Sequence, residues 1–163
     1  MAQEWTEPRR PWRQALLRRG LHLYFRLSRG MTLGVRAAVL DDANRVFLIR
    51  HTYTAGWHLP GGGVETGETL LEALEKELRE EACIALAGPA ALHGVFFNRA
   101  MSRRDHVAVF VVRQFTVTQA KQPDREIAEA GFFPLDALPR ETTGGTRRRL
   151  AEICEGRPPH TDW

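Results

Sequence analysis

Apolar residues fall along this chain in short runs separated by polar breaks, the pattern of strands, with stretches of helical period between them. Residues 32–40 and 46–51 read as two strands joined by the polar turn Asp41-Asp42-Ala43-Asn44, and so as a β-hairpin. A loop over 52–58 then leads to a run of glycines. The spacing predicts a helix over about 69–82, a strand over 91–98 and a final helix over about 146–155. Residues 106–117 are almost continuously apolar, as expected of a central strand buried on both faces. Ahead of all of these, residues 10–28 place Leu17, Leu21, Tyr24 and Phe25 on one helical face flanked by arginines. That segment reads as an amphipathic extension, weakened at Gly20 by up to about 1 kcal/mol relative to alanine. The sum is an α+β architecture of the size of one compact domain, 163 residues.

Composition adds exclusions more than assignments. Lys and Arg outnumber Asp and Glu by 23 to 20, a balance that makes no case for a nucleic-acid partner. The distribution is more telling, since residues 1–36 carry eight arginines against Glu4 and Glu7 while the 69–82 helix is acidic. Cys83 and Cys154 are too few and too far apart for a zinc site or a disulfide framework. No run of about 18 apolar residues exists to cross a membrane, and no secretory signal opens the chain, so a soluble cytoplasmic protein is expected.

Chemistry concentrates in residues 61–84, GGGVETGETLLEALEKELREEACI. Residues three and four apart share a helix face, so Glu77, Glu80 and Glu81 are expected to converge. Like charges at that spacing repel by roughly 0.2–0.5 kcal/mol per pair, which calls for a cation between them. Hard oxygen ligands suit Mg²⁺ or Mn²⁺, and Mg²⁺ commonly shares its shell with substrate phosphates. Gly61, Gly62 and Gly63 let the backbone approach such a ligand closely.

This segment closely resembles the Nudix box, with Gly62, Glu68, Lys76, Glu77, Leu78, Glu80, Glu81, Cys83 and Ile84 at the signature positions. Two positions depart from it. Lys76 stands where the family has arginine, losing the planar fork that grips a carboxylate. Cys83 replaces the glycine that closes the helix, so the helix is expected to end differently. The resemblance covers roughly residues 32–156, with Trp57-His58-Leu59-Pro60 upstream and residues 126–136 downstream. It implies a Nudix fold, a mixed β-sheet sandwiched between helices, over 31–157, with 1–30 as the N-terminal extension and 158–163 as a tail. It also implies a hydrolase of nucleoside diphosphates linked to another moiety, such as a nucleoside triphosphate, ADP-ribose, a nucleotide sugar or a dinucleoside polyphosphate. Glu77, Glu80 and Glu81, with the Gly61 carbonyl and Glu126 from the downstream loop, are then the expected metal ligands. A box glutamate or Glu126 takes the proton of the attacking water, with Glu129 as second candidate for that loop role. Lys76 is expected to position its neighbouring carboxylates and Glu68 to anchor the loop to the helix.

Substrate identity is read less directly. Tyr53, Trp57, Phe96 and Phe97 are candidates to stack a base, and Gly62, Gly63, Arg50 and Arg104 to contact phosphate, Arg104 from a clamp-like loop over 98–105. His51, His58 and His106 are expected to be structural, and Arg147, Arg148 and Arg149 to form a solvated helix face. A homodimer is compatible with the amphipathic extension. Two other readings stand beside the hydrolase: a nucleotide-binding regulator without catalysis, and an RNA 5′-end pyrophosphohydrolase suggested by the basic extension.

Overall fold

The computed structural model describes Tyr24 and residues 30–163. The amphipathic segment expected over 10–28 lies outside the described residues apart from Tyr24, which is helical. Thr32–Trp163 form a unit of their own, which carries every sheet found among the described residues.

Its strands are β1 (Thr32–Val39), β2 (Arg45–His51), β3 (Trp57–His58), β4 (Ile84–Leu86), β5 (Ala91–Phe97), β6 (Asp105–Val112), β7 (Phe115–Val117) and β8 (Ile127–Pro134). Helix α1 (Leu70–Glu77) runs into a π-turn at Leu78–Ala82, and α2 (Gly144–Glu155) closes the order. A mixed sheet has the order β1-β6-β5, β1 lying parallel to β6 from Thr32 opposite Asp105 to Val39 opposite Val112. An antiparallel sheet has the order β3-β2-β8, and β4 pairs with β7.

Period-two alternation sorts the apolar side chains into two cores. Val35, Ala37 and Val39 of β1, Phe47 and Ile49 of β2, and Ala108, Phe110 and Val112 of β6 pack with Ala73, Leu74, Leu78 and Ala82 beneath α1. The intervening residues, among them Ala38, Val46, Leu48, Val107 and Val109, pack on the other side with Leu150 of α2. Strands buried on both faces between two helical layers lose their polar alternation, which is why their sequences read as continuous apolar runs.

The expected hairpin does not form. Asp41 Oδ1 accepts from the amides of Ala43 and Arg45 and makes the turn, Leu40 bridges Val46, and there the strands part into different sheets. Both edges of each strand are already taken. β2 lies between β3 and β8, while β1 has β6 on one side and the glycine segment on the other. Along that second edge Val35 N donates to Gly62 O and Ala37 N to Pro60 O, each at 2.9 Å, and Val64 N donates to Leu33 O at 2.8 Å.

The apolar run 106–117 is likewise two strands, not one. It breaks at Arg113-Gln114, and β7 leaves to pair with β4. The helix range 69–82 holds, started by a capping box in which Thr69 Oγ1 accepts from Glu72 N and Glu72 Oε2 accepts from Thr69 N. Its end corrects the expectation for Cys83. The cysteine takes the left-handed conformation itself, φ 54° and ψ 39°, at a cost of roughly 1–2 kcal/mol for a residue with a Cβ. Its carbonyl accepts from both the amide and the hydroxyl of Thr118, at 2.9 Å each, which holds it there.

Arg147 and Arg148 of α2 are exposed as expected, but Arg149 is not part of a solvated face. Arg149 is fully buried with its guanidinium 3.8 Å from the centre of the Phe96 ring, donating to Glu152 at 2.5 Å and to Asp162 O at 3.0 Å. Arg147 binds Pro139 O at 2.8 Å, and Arg148 donates to Trp163 O. Residues 158–163, expected as a tail, are seated on the domain: Phe97 N donates to Thr161 O at 2.9 Å and Trp163 N to Phe97 O at 3.0 Å.

Candidate active site

Glu77 and Glu81 lie four residues apart across the join of α1 and its π-turn, and both face one cavity of about 800 Å³. The rest of its wall brings Gly61 and Gly62, Arg36 of β1, Tyr53 and Glu126 to the same space. Glu81 is buried, 7% exposed, and its Oε2 accepts from Gly61 N at 2.7 Å. Burial pushes its carboxyl up to about 7, against the pull of the Gly61 amide and the Arg36 guanidinium. Glu77 is raised for the same leading reason, with Glu80 and Glu126 adding repulsion. Burial in turn lowers the pKa of Arg36, whose guanidinium donates to Leu59 O at 2.9 Å.

Two glycines are required by close approach. A Cβ on Gly61, where φ is 142°, would lie 2.1 Å from Val35 O, and one on Gly62 would lie 2.3 Å from Glu77 Oε1. The segment is thus pressed between β1 and the carboxylate it faces.

The three box glutamates do not all converge. Glu80 lies off the cavity wall with its side chain 60% exposed and 3.7 Å from Arg79. In the wide π-turn, position i+4 rather than i+3 returns to the starting face, so Glu81 joins Glu77 and Glu80 is left on the outside. The backbone of Glu80 is nonetheless part of the frame. Lys121 Nζ donates to its carbonyl at 2.7 Å and to Asp124 at 2.5 Å, while Asp124 accepts from the amides of Glu126 and Ile127. The Lys121 bond is the leading cause holding the Asp124 carboxyl down at about 2. This chain of bonds ties the loop bearing Glu126 to the turn bearing Glu81.

Other expected site residues are placed elsewhere. Lys76 binds Glu68 at 2.7 Å and Glu65 at 3.4 Å, not Glu77 or Glu81, so it fastens the loop to the helix. Glu68 also accepts from Glu65 N, consistent with its anchoring role. Trp57 is buried in the core with its ring against Phe133, and Phe96 is buried as well, so neither is open to a base. Phe97 stacks on His106 at 5.3 Å. Arg50 pairs with Glu129 at 2.7 Å, in β8 rather than on a loop, and Arg104 is exposed outside the cavity wall. Gly63 lines a smaller adjoining cavity, and Tyr53 is exposed with its ring 5.0 Å from that of His51. His51 is buried, its pKa lowered to about 4 chiefly by burial, with Nδ1 3.8 Å from Glu81, beyond hydrogen-bond reach.

Arg36 and Trp163 line the cavity although no motif pointed to them, and Asn98 lines it from the start of the clamp-like loop expected over 98–105. Arg36 carried a signal, a lone charge within the apolar run of β1. Trp163 carried none, because only the folded course of residues 158–163 brings it there.

Residues 30–152 match the NUDIX domain family. The chain belongs to the Nudix hydrolase family. Its mouse relative, 8-oxo-dGDP phosphatase NUDT18 of Mus musculus, is 32% identical over 133 residues, covering 78% of this chain and 40% of that protein. The ADP-ribose pyrophosphatase of Methanocaldococcus jannaschii is 30% identical over 105 residues, covering 63% of this chain and 62% of its own. The crystal structure of a MutT NUDIX hydrolase from Burkholderia pseudomallei superposes with a TM-score of 0.64 at 30% identity, covering 75% of this chain and 97% of that one. This Nudix chain therefore spans well under half of the mouse relative and nearly all of the bacterial structure. Among its described residues no helix is long and apolar enough to cross a membrane.

Nudix hydrolases generally use divalent metals. The donors at this cavity are carboxylate oxygens, the class that hard dications prefer, and burial leaves Glu77 and Glu81 short of neutralising charge. The residues therefore fit such an ion. Among the described residues no three acidic, histidine or cysteine side chains already stand at ligand spacing.

Proposed function

We propose that this chain is a metal-dependent hydrolase of the phosphoanhydride bond in nucleoside diphosphates, free or linked to a further group. The observation that supports it most is the buried Glu81, gripped by Gly61 N and facing a cavity it shares with Glu77 and Glu126. The names of the mouse and archaeal relatives specify 8-oxo-dGDP and ADP-ribose, and the shared part of those two is a nucleoside diphosphate.

Glu77 and Glu81 would hold Mg²⁺ or Mn²⁺, with the Gly61 carbonyl and Glu80 as further donors. When bound, such an ion neutralises phosphate charge and lowers the pKa of an attacking water. Arg36 supplies fixed positive charge to the same cavity. Glu126 serves as the proton acceptor, since its exposed carboxylate faces the cavity and Asp124 fixes its backbone. Lys76 and Glu68 keep the glycine loop in place, and Tyr53 flanks the substrate at the rim.

The test is phosphate and pyrophosphate release from a panel of nucleoside diphosphates, nucleoside triphosphates, ADP-ribose, nucleotide sugars and a 5′-triphosphorylated oligonucleotide, with Mg²⁺ and with Mn²⁺. Metal-dependent turnover that falls at least a hundredfold in Glu81→Gln is expected, on the scale of about 10²–10⁴ for losing a catalytic carboxylate. Turnover of no phosphoanhydride by the wild type refutes the proposal. Glu80→Gln alongside reports whether the outward glutamate is drawn in by the metal.

A further inference from the structure

The cavity holding the carboxylates opens into the smaller one, of about 290 Å³, and Arg36, His58, Gly62, Asn98, Met101 and Trp163 face both. Glu77, Glu81 and Glu126 line only the larger space. The smaller is walled by Gly34, Gly63, Asp105 and Val107, away from the acidic groups of the box. A substrate with a charged end and a planar end is thus offered two different environments, and Trp163 stands at their junction.

Trp163 is held there by more bonds than an incidental tail needs. Its amide donates to Phe97 O at 3.0 Å, its carbonyl accepts from Arg148, and the preceding Asp162 carbonyl accepts from buried Arg149 at 3.0 Å. His160 N donates to Glu152 at 2.9 Å, and the same glutamate binds His93 at 2.9 Å and Arg149. Gly145 makes room for the ring, since a Cβ at that position would lie 2.5 Å from the indole Nε1. The indole remains half-buried, one part against Phe96 at 6.5 Å between centroids and the rest on the cavity wall. Beside it Asn98 is fixed by its bond to Asp105 at 2.8 Å, a polar group suited to the edge of a base. Of the aromatic residues picked out from the sequence, Trp57 and Phe96 are core and Phe97 is stacked on His106, while exposed Tyr53 lines the carboxylate-bearing cavity and not the smaller one.

We infer that Trp163 is the wall on which the nucleobase stacks, so that residues 160–163 are part of the substrate site and set its preference for nucleosides over bare phosphoanhydrides. The inference rests on the nucleoside-diphosphate reading, and stacking of a base on an aromatic ring is tolerant of base identity.

The decisive experiment is calorimetric titration of the full chain, in Mg²⁺, with ADP and with inorganic pyrophosphate, both in their non-hydrolysable methylene-bridged forms, for wild type, Trp163→Ala and Trp163→Phe. In Trp163→Ala the Kd for ADP is expected to rise about tenfold, the order for loss of one base stack, while that for pyrophosphate stays within about twofold. Trp163→Phe should recover most of the ADP affinity. Gly145→Ala, which pushes the indole aside without deleting it, should weaken ADP and spare pyrophosphate. Equal weakening of both ligands in Trp163→Ala would make the residue merely structural and overturn the inference, as would unchanged ADP binding. Wild type that binds pyrophosphate but gains nothing from the adenosine also overturns it while leaving the phosphate reading standing. Binding of neither ligand refutes that reading, and the inference with it.

Discussion

Replacing Glu81 with glutamine isolates the energetic cost of the site's buried charge. Glutamine keeps the size of the side chain and an oxygen for Gly61 N, but removes the ionisation. The Glu81 carboxyl moves from 4.5 in the unfolded chain to about 7 in the fold. Between those values the folded state holds a proton that the unfolded state has released, so stability falls as pH rises from about 4.5 and levels off above about 7. At about 1.4 kcal/mol per pH unit the full cost is roughly 3 kcal/mol. His51 acts in the opposite sense. Its pKa drops from 6.5 to about 4 on folding, so the stability that its buried neutral ring contributes is lost as pH falls from 6.5 towards 4. The two trends offset each other in the wild type, and the difference between Glu81→Gln and wild type removes the histidine contribution. Urea unfolding in EDTA at pH 5, 6, 7 and 8 should therefore show the variant gaining on the wild type at each step, by roughly 2.5 kcal/mol in all because part of the cost is already felt at pH 5. Adding Mg²⁺ at pH 8 should stabilise the wild type and close most of the gap, because an ion bound only by the folded state shifts the equilibrium towards it. A variant whose advantage is the same at every pH would refute the desolvated state of Glu81.

Two further perturbations probe the frame. Arg149→Ala strips the cation from buried Glu152 and should cost about 3–5 kcal/mol in urea unfolding; restoring part of that loss with Glu152→Gln in the same chain would confirm the cause. Thr69→Ala removes the capping box of α1 and should cost about 1 kcal/mol, with amide exchange rising first in residues 70–73.

Local signals carried much of this architecture. Thr69 and Glu72 announced the start of α1, short apolar runs marked β1, β2 and β5, and the glycines marked where backbone meets carboxylate. Pairing was a different matter. β1 finds β6 across 73 positions of sequence, while its neighbour β2 is refused, because each strand's edges are filled by segments far along the chain. The outward turn of Glu80 depends on a π-turn that regular helical spacing does not reveal, and the inward turn of Arg149 on a glutamate and a carbonyl that the fold brings to it. Glu126, singled out through the family resemblance, lines the cavity, whereas Trp163 belongs to no motif at all.

The glycine segment that grips Glu81 is stitched along the edge of β1 opposite β6 by the amides of Val35, Ala37 and Val64. In exchange terms those amides belong to the same cooperative unit as the parallel β1-β6 pair, not to a loop that opens on its own. The consequence is a site without a private melting transition: the carboxylate grip should survive every partial opening that leaves the mixed sheet intact, and be lost in the same event that unzips it. Slow hydrogen exchange at Val64, matched to that of Val35, would be the signature of a loop that borrows its rigidity from the sheet.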